Sequence, residues 1–222
     1  MHRLVVRSIP ALAAGLFAGL LVAGPTSAPA HAAETYSAQL QTAISGLPVA
    51  TEVRTGYTRD QFRHWVDADG DGCDTRKEVL IAEADDPVTV GSGCSLSGGR
   101  WFSYYDRVSW TDSGRIDIDH MVPLAEAWDS GARTWTAAQR QSYANDLGDS
   151  RPLVGVTDTV NQAKGDQDPA EWMPTYDKCR YLREWVAVKI RWRLSVNSGE
   201  KTALQSLSSG CTNSTITVTS AI

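Results

Sequence analysis

The chain has few of the residues that build specialised scaffolds. Four cysteines in 222 residues are too few for a disulfide-dense mini-protein, and none forms the C-x-x-C pair that would suggest bound zinc. Charged residues make up 21% and the formal net charge is −5, while 42% of residues are hydrophobic; this balance excludes an intrinsically disordered chain. There is no collagen period, heptad run, internal repeat or low-complexity linker. Long apolar runs are also lacking. The one present, residues 9–24, falls short of the roughly 20 residues needed to cross a bilayer. Histidine is scarce, with four in all, at positions 2, 31, 64 and 120.

That apolar run follows Arg3 and Arg7 and precedes a small-residue stretch with Ala30 and Ala32 in A-x-A spacing. This is the pattern of a secretory signal peptide over residues 1–32. Its removal takes away two basic residues and no acids, so the formal charge goes from −5 to −7, and only His64 and His120 remain as imidazoles. A secreted, extracellular protein is expected, with no membrane contact after cleavage. Cys73, Cys94, Cys179 and Cys211 all lie in the exported part, an even count that suggests two disulfides. The sequential pairing, Cys73–Cys94 and Cys179–Cys211, closes the shortest loops and is the expected one.

Residues 33–56 read as a loosely packed lead-in and 212–222 as a polar, β-prone tail that frays. Thr58 with Gln61 resembles a capping box opening a helix that carries Phe62, Trp65 and Val66. The stretch 76–84 suits helix or strand, and the Gly- and Ser-rich stretch 87–102 reads as turns. Ile116 and Ile118 alternate with polar neighbours, which marks a short strand ending at His120. Thr136 with Gln139 caps a helix running through Asn145. RPLVGV is a second strand, and Asp158 opens a short helix closed by Gly165. Asp168-Pro169 starts another helix. The longest helix, 176–194, places Tyr181, Trp185, Val188 and Trp192 on one stripe, and a last helix covers 200–207. Short strands among runs of helix imply an α+β domain.

Chemistry concentrates in DIDHMVPL. Asp119 and His120 are adjacent at a strand end, so their side chains diverge: one suits a hard metal, the other serves as a base near neutral pH. Downstream, Asn161 and Lys164 lie three apart on one helix face, an amide oxygen for a metal and a cation for a phosphate. His64, beside Trp65, reads as a packing or surface histidine.

DIDHMVPL followed by N-x-x-K-G-D resembles the HNH, or ββα-metal, nucleases. More closely it resembles secreted HNH proteins related to the C-terminal domain of GmrSD-type restriction endonucleases, over residues 55–211. DADGDGCDTR, AEAWDSGARTW, YANDL and GDQDPAEWMP resemble that group too. The resemblance implies a small ββα-metal core embedded in a mostly helical single domain over residues 57–211. It implies His120 as general base, Asp119 and Asn161 as ligands of Mg²⁺ or Mn²⁺, Lys164 near the scissile phosphate, and Asn145 as the middle asparagine that steadies the histidine loop. The gap from His120 to Asn161 is longer than in compact HNH modules, and the cysteine pairs that carry zinc in some relatives are missing.

Charge is uneven. Residues 60–86 carry nine acids against three bases, and residues 178–193 six bases against one acid. Arg180, Arg183 and Arg191 form either a nucleic-acid face or the solvated side of an amphipathic helix. Asp67, Asp69, Asp71 and Glu78 match the ligand positions of an EF-hand loop, with Gly72 at the turn. Asp74 stands where that loop has an aliphatic residue, and the rival reading is a solvated turn stapled by Cys73. The expectation is a secreted, metal-dependent HNH endonuclease acting on DNA, with RNA left open as a second substrate, and with little sequence specificity. It is expected as a monomer, with structural Ca²⁺ in the aspartate loop and an inhibitor protein as a partner both left open. The alternative is a catalytically inactive, calcium-stabilised binding protein on the same fold.

Overall fold

The computed structural model describes residues 34–222; the expected signal peptide lies outside the described residues. Strand β1 (Thr35–Gln39) runs directly into helix α1 (Leu40–Gly46). A loop containing one 3-10 turn, Arg59–Gln61, leads to α2 (Thr75–Ala82). A meander of β2 (Asp86–Val90), β3 (Leu96–Ser103) and β4 (Val108–Trp110) follows. Then come β5 (Ile116–His120), α3 (Leu124–Asp129), α4 (Ala137–Ala144), β6 (Leu153–Thr157) and α5 (Asp158–Lys164). The chain ends with α6 (Lys178–Arg191), α7 (Ser198–Ser208) and β7 (Thr215–Thr219).

The architecture is mixed α+β. Seven α-helices accompany three small antiparallel sheets, β1–β7, β2–β3–β4 and β5–β6, among the described residues. This corrects the expectation of a mostly helical domain, because two stretches read as irregular form strands. Residues 87–102 fold as the β2–β3 hairpin, with Asp86 opposite Arg100 and Val90 opposite Leu96. Gly98 and Gly99 there adopt positive φ, which hid the strand in a glycine-rich sequence. Gly99 has no room for a Cβ, which would come within 2.7 Å of the Trp101 ring.

The two chain ends also depart from expectation. The lead-in and the tail pair with each other as β1 and β7, Thr35 opposite Thr219 and Gln39 opposite Thr215. Ile216 and Val218 turn inward and are buried, so the tail is held by its alternating pattern. Further along the lead-in, Val49 bridges Val196, with Val196 N–H donating to Pro48 and Ala50 N–H to Val196.

The helix expected from Thr58 through Val66 does not form beyond the 3-10 turn. Its backbone groups go elsewhere: Asn145 accepts from Val66 N–H and donates to Arg63 O, while Thr75 donates to Val66 O through both N–H and hydroxyl. Residues 168–171 form a turn, because the Asp168 carboxylate accepts from Ala170 N–H.

The other helices follow local signals. Thr136–Gln139 and Asn197–Glu200 are reciprocal capping boxes at α4 and α7. Asp74 caps α2 through Lys77 N–H. The α6 stripe, Tyr181, Trp185, Val188 and Trp192, is buried, and packs in the main core with Leu40, Ile44, Trp128 and Tyr143. A smaller core joins Val79 and Leu80 of α2 to Trp101, Ile116, Ile118 and Leu153. Both disulfides pair sequentially: Cys73–Cys94 ties the loop before α2 to the β2–β3 turn, and Cys179–Cys211 ties α6 to the end of α7.

Candidate active site

β5 and β6 pair antiparallel, from Ile116 opposite Thr157 to His120 opposite Leu153. The chain between them leaves the hairpin to build α3 and α4. β6 runs into α5 without a linker, so α5 folds back against both strands. Alternation sends Ile116 and Ile118 into the smaller core and Asp117 and Asp119 to the opposite face. There α5 meets them in two rungs. Asn161 Nδ2 donates to Asp117 Oδ2 at 3.2 Å, and Lys164 Nζ donates to both Asp119 oxygens at 2.7 Å. A two-residue strand step is thus matched by a three-residue helix step.

The Asp119–Lys164 rung is closed to solvent. Lys164 is 0% exposed and Asp119 4%. Lys164 also donates to the carbonyls of His120 and Met121 at 2.9 and 3.0 Å, and Tyr105 OH donates to Asp119 Oδ2 at 2.6 Å. Burial pushes the Asp119 carboxyl up and the Lys164 ammonium down, and each charge opposes the other's shift. Lys164, expected near the scissile phosphate, spends its charge inside on Asp119 and two carbonyls. Asp119, the expected metal ligand, accepts from Lys164 through both oxygens and from Tyr105, and it also lines the cleft beside His120.

His120 closes β5. Its Nε2 lies 3.0 Å from Ala144 O. A carbonyl only accepts, so Nε2 carries the proton and Nδ1 keeps the lone pair. The ring stacks near Trp65, centroids 5.4 Å apart, and Tyr143, 6.5 Å, with His64 edge-on at 6.4 Å. Burial lowers its pKa to about 3, so the imidazole is neutral across the physiological range. Asn145 does not touch this ring. Its side chain instead clamps residues 63–75, accepting from Val66 N–H and the Thr75 hydroxyl and donating to Arg63 and Gln141 carbonyls. The steadying contact expected of Asn145 comes from the carbonyl one residue earlier.

A cleft of about 340 Å³ brings His120, Asp119 and Asn161 together with Tyr57, Arg59 and Gln162. Arg59 is exposed and has no ion-pair partner among the described residues, and its charge helps to hold His120 neutral. Sequence reasoning missed it, because it sits 61 positions before His120 on a turn read as a helix. Asp117 was missed as well, although the alternation in DIDH already put it on the Asp119 face.

The arginines of α6 do not line this cleft. Arg191 is buried and bound to Asp146 at 2.6 Å, and Arg180 pairs with Glu184 over the Tyr104 ring. Arg183 is half-buried. Arg191 therefore holds the core together, and Arg180 and Arg183 remain at the helix surface away from the cleft. The aspartate loop lies apart from the cleft, with carboxylate oxygens of Asp67, Asp69 and Asp71 within 4.8 Å of one another and Glu78 similarly near Asp71. Burial and the three aspartates push the Glu78 carboxyl up. The chain enters this loop from an irregular segment and leaves it through α2, so the helical flank of an EF-hand is present on one side only.

The model of the C-terminal domain of GmrSD restriction endonucleases matches residues 91–207, more than half of the chain. The chain belongs to that family. His120, Asn145, Asn161 and Lys164 fall inside the matched segment; Arg59 and the aspartate loop lie before it. The chain is also similar to a protein described as an "Uncharacterized secreted protein" of Arthroderma benhamiae (strain ATCC MYA-4681 / CBS 112371), 44% identical over 199 residues, covering 88% of this chain and 96% of that one. No solved structure matches the chain. The secreted relative and the two disulfides agree on a secreted protein. No helix among the described residues is long and apolar enough to cross a membrane.

Proposed function

We propose that this protein is an extracellular endonuclease of the HNH, ββα-metal type that hydrolyses phosphodiester bonds of DNA or RNA. One observation carries the reading: a neutral histidine with only Nδ1 unengaged shares a cleft with Asn161 and the unpaired Arg59. The β5–β6–α5 order, in a family named for restriction endonucleases, supports it.

In this reading Nδ1 of His120 accepts a proton from water, and the water oxygen attacks phosphorus. The bond to the leaving oxygen breaks, solvent protonates that oxygen, and His120 releases its proton to solvent. A pKa near 3 makes His120 a weak base in the empty cleft; the negative charge of a bound phosphate raises it. Arg59 binds the phosphate. A hard divalent cation fits through Asn161, whose amide oxygen accepts no hydrogen bond among the described residues while its Nδ2 is anchored on Asp117. Asp119 joins as a ligand only if Lys164 leaves it. When bound, Mg²⁺ or Mn²⁺ supplies charge stabilisation at the leaving oxygen. Contacts to backbone rather than base edges give little sequence preference. Ca²⁺ in the Asp67–Glu78 loop is structural in this reading, and the chain acts as a monomer.

The Lys164 ammonium on Asp119 favours one other reading, a calcium-stabilised binding protein without catalysis. Plasmid nicking decides between them. The secreted protein, stripped with EDTA, receives Mg²⁺, Mn²⁺ or Ca²⁺ separately, beside His120→Ala. Cleavage restored by metal and absent in His120→Ala supports the nuclease. A folded, disulfide-bonded sample that cleaves neither DNA nor RNA with any metal supports the binding protein.

A further inference from the structure

A second cavity, about 420 Å³, lies between the docked lead-in, α3 and the segment after α5. It adjoins the His120 cleft through Asp166, which lines both. Its walls are acidic. Glu52 is set there by the pairing of residues 48–50 with Val196, and Glu126 lines it from α3; Asp129, three residues on along α3, lies behind this wall. Carboxylate oxygens of Glu52, Glu126 and Asp129 lie within 4.8 Å of one another. Glu126 is 3% exposed and Asp129 4%.

The cations nearby do not match this charge. Lys189 divides its ammonium between Glu126 at 2.6 Å and Glu200 at 3.1 Å. Arg54 divides its guanidinium between Asp129 Oδ2 at 2.7 Å and Asp166 at 2.6 Å. Glu52 accepts only from the neutral Asn197 amide. Asp129 Oδ1 is buried and accepts no hydrogen bond among the described residues. A buried carboxylate oxygen without a donor costs free energy in a fold that otherwise leaves few polar atoms unpaired. Burial pushes the Glu126 and Asp129 carboxyls up, and Glu52 adds repulsion to both.

We propose that Glu52, Glu126 and Asp129 form a divalent-cation site that takes Ca²⁺, with Asp129 Oδ1 as a buried ligand. The donors are all carboxylate oxygens, two from α3 and one from the lead-in, and the cavity leaves room for water. An irregular, roomy oxygen cage suits Ca²⁺ better than Mg²⁺, which demands tight octahedral geometry. The ion ties the lead-in to α3 beside the His120 cleft.

Calcium titration calorimetry on the EDTA-stripped secreted protein tests this, with the aspartate loop silenced by Asp69→Asn and Asp71→Asn. One Ca²⁺ per chain is expected to remain in that background, and to bind at least tenfold more weakly after Asp129→Asn or Glu52→Gln. Protection of residues 48–56 from protease by Ca²⁺ is expected to be lost in the same variants. Glu52 is exposed, so Glu52→Gln decides alone if Asp129→Asn does not fold. A loop-silenced protein that binds no Ca²⁺, or one whose affinity neither substitution changes, overturns the site. Neither result depends on nuclease activity.

Discussion

Lys164 sits with its ammonium 2.7 Å from both oxygens of Asp119, and both residues are closed to solvent. The same ammonium holds the carbonyls of His120 and Met121. One buried charge therefore fixes the end of β5, where the histidine stands, to the last turn of α5. Burial of such a pair is costly, but removal of one partner costs more, because the other charge is left alone in a dry site.

Lys164→Met is expected to destabilise the fold by about 3–5 kcal/mol, read by denaturant unfolding. Lys164→Met with Asp119→Leu is expected to recover part of that loss, since no lone charge remains. A single variant as stable as the parent would show that Asp119 is neutral in the fold.

The buried imidazole makes a pH prediction. His120 has a folded pKa near 3, below its ordinary value of 6.5. Between these values the unfolded chain binds a proton that the native chain does not. This residue's contribution to stability is therefore full above about pH 6.5 and falls with acidification, by roughly 1 kcal/mol per pH unit. Glu83 and Glu200, both raised to about 7, act in the opposite direction above pH 4.5. The comparison with His120→Gln isolates the histidine: the variant is expected to gain stability relative to the parent as pH drops from 6.5 to 4. A difference independent of pH would place a charged imidazole in the native cleft.

Arg59 is exposed and has no ion-pair partner among the described residues, so Arg59→Ala is expected to leave stability within about 0.5 kcal/mol of the parent. If the cleft binds a polyanion, the variant binds DNA more weakly and loses about one charge from the salt dependence of binding. Parallel titrations against sodium chloride measure it, and an unchanged slope would remove Arg59 from the interface.

Asn145 is expected to matter through residues 63–75. Asn145→Ala strands Val66 N–H and the Arg63 carbonyl, at a cost of about 1–3 kcal/mol, and loosens the segment that carries Trp65 over His120. Faster proteolysis between Arg63 and Cys73 is the readout. Protection equal to the parent's would mean that Thr75 and the Cys73–Cys94 bond hold the segment without it.

Local signals in the sequence determined the β5 strand, the β6–α5 step, the Thr136–Gln139 capping box, the α6 stripe and the sequential disulfides. Each depends on residues only a few positions apart or, for the disulfides, on the shortest loops. The adjacency of Asp119 to His120 and the spacing of Asn161 and Lys164 were legible for the same reason. Only the tertiary structure decided what these side chains do. Alternation put Asp117 and Asp119 on one face, but the packing of α5 gave Asp119 its partner and withdrew Lys164 from the cleft. Arg59 reaches His120 across 61 residues, and β1 pairs with β7 across the whole described chain. Such contacts leave no periodic mark, because their free energy comes from burial and pairing between distant segments and not from the conformational preference of either one.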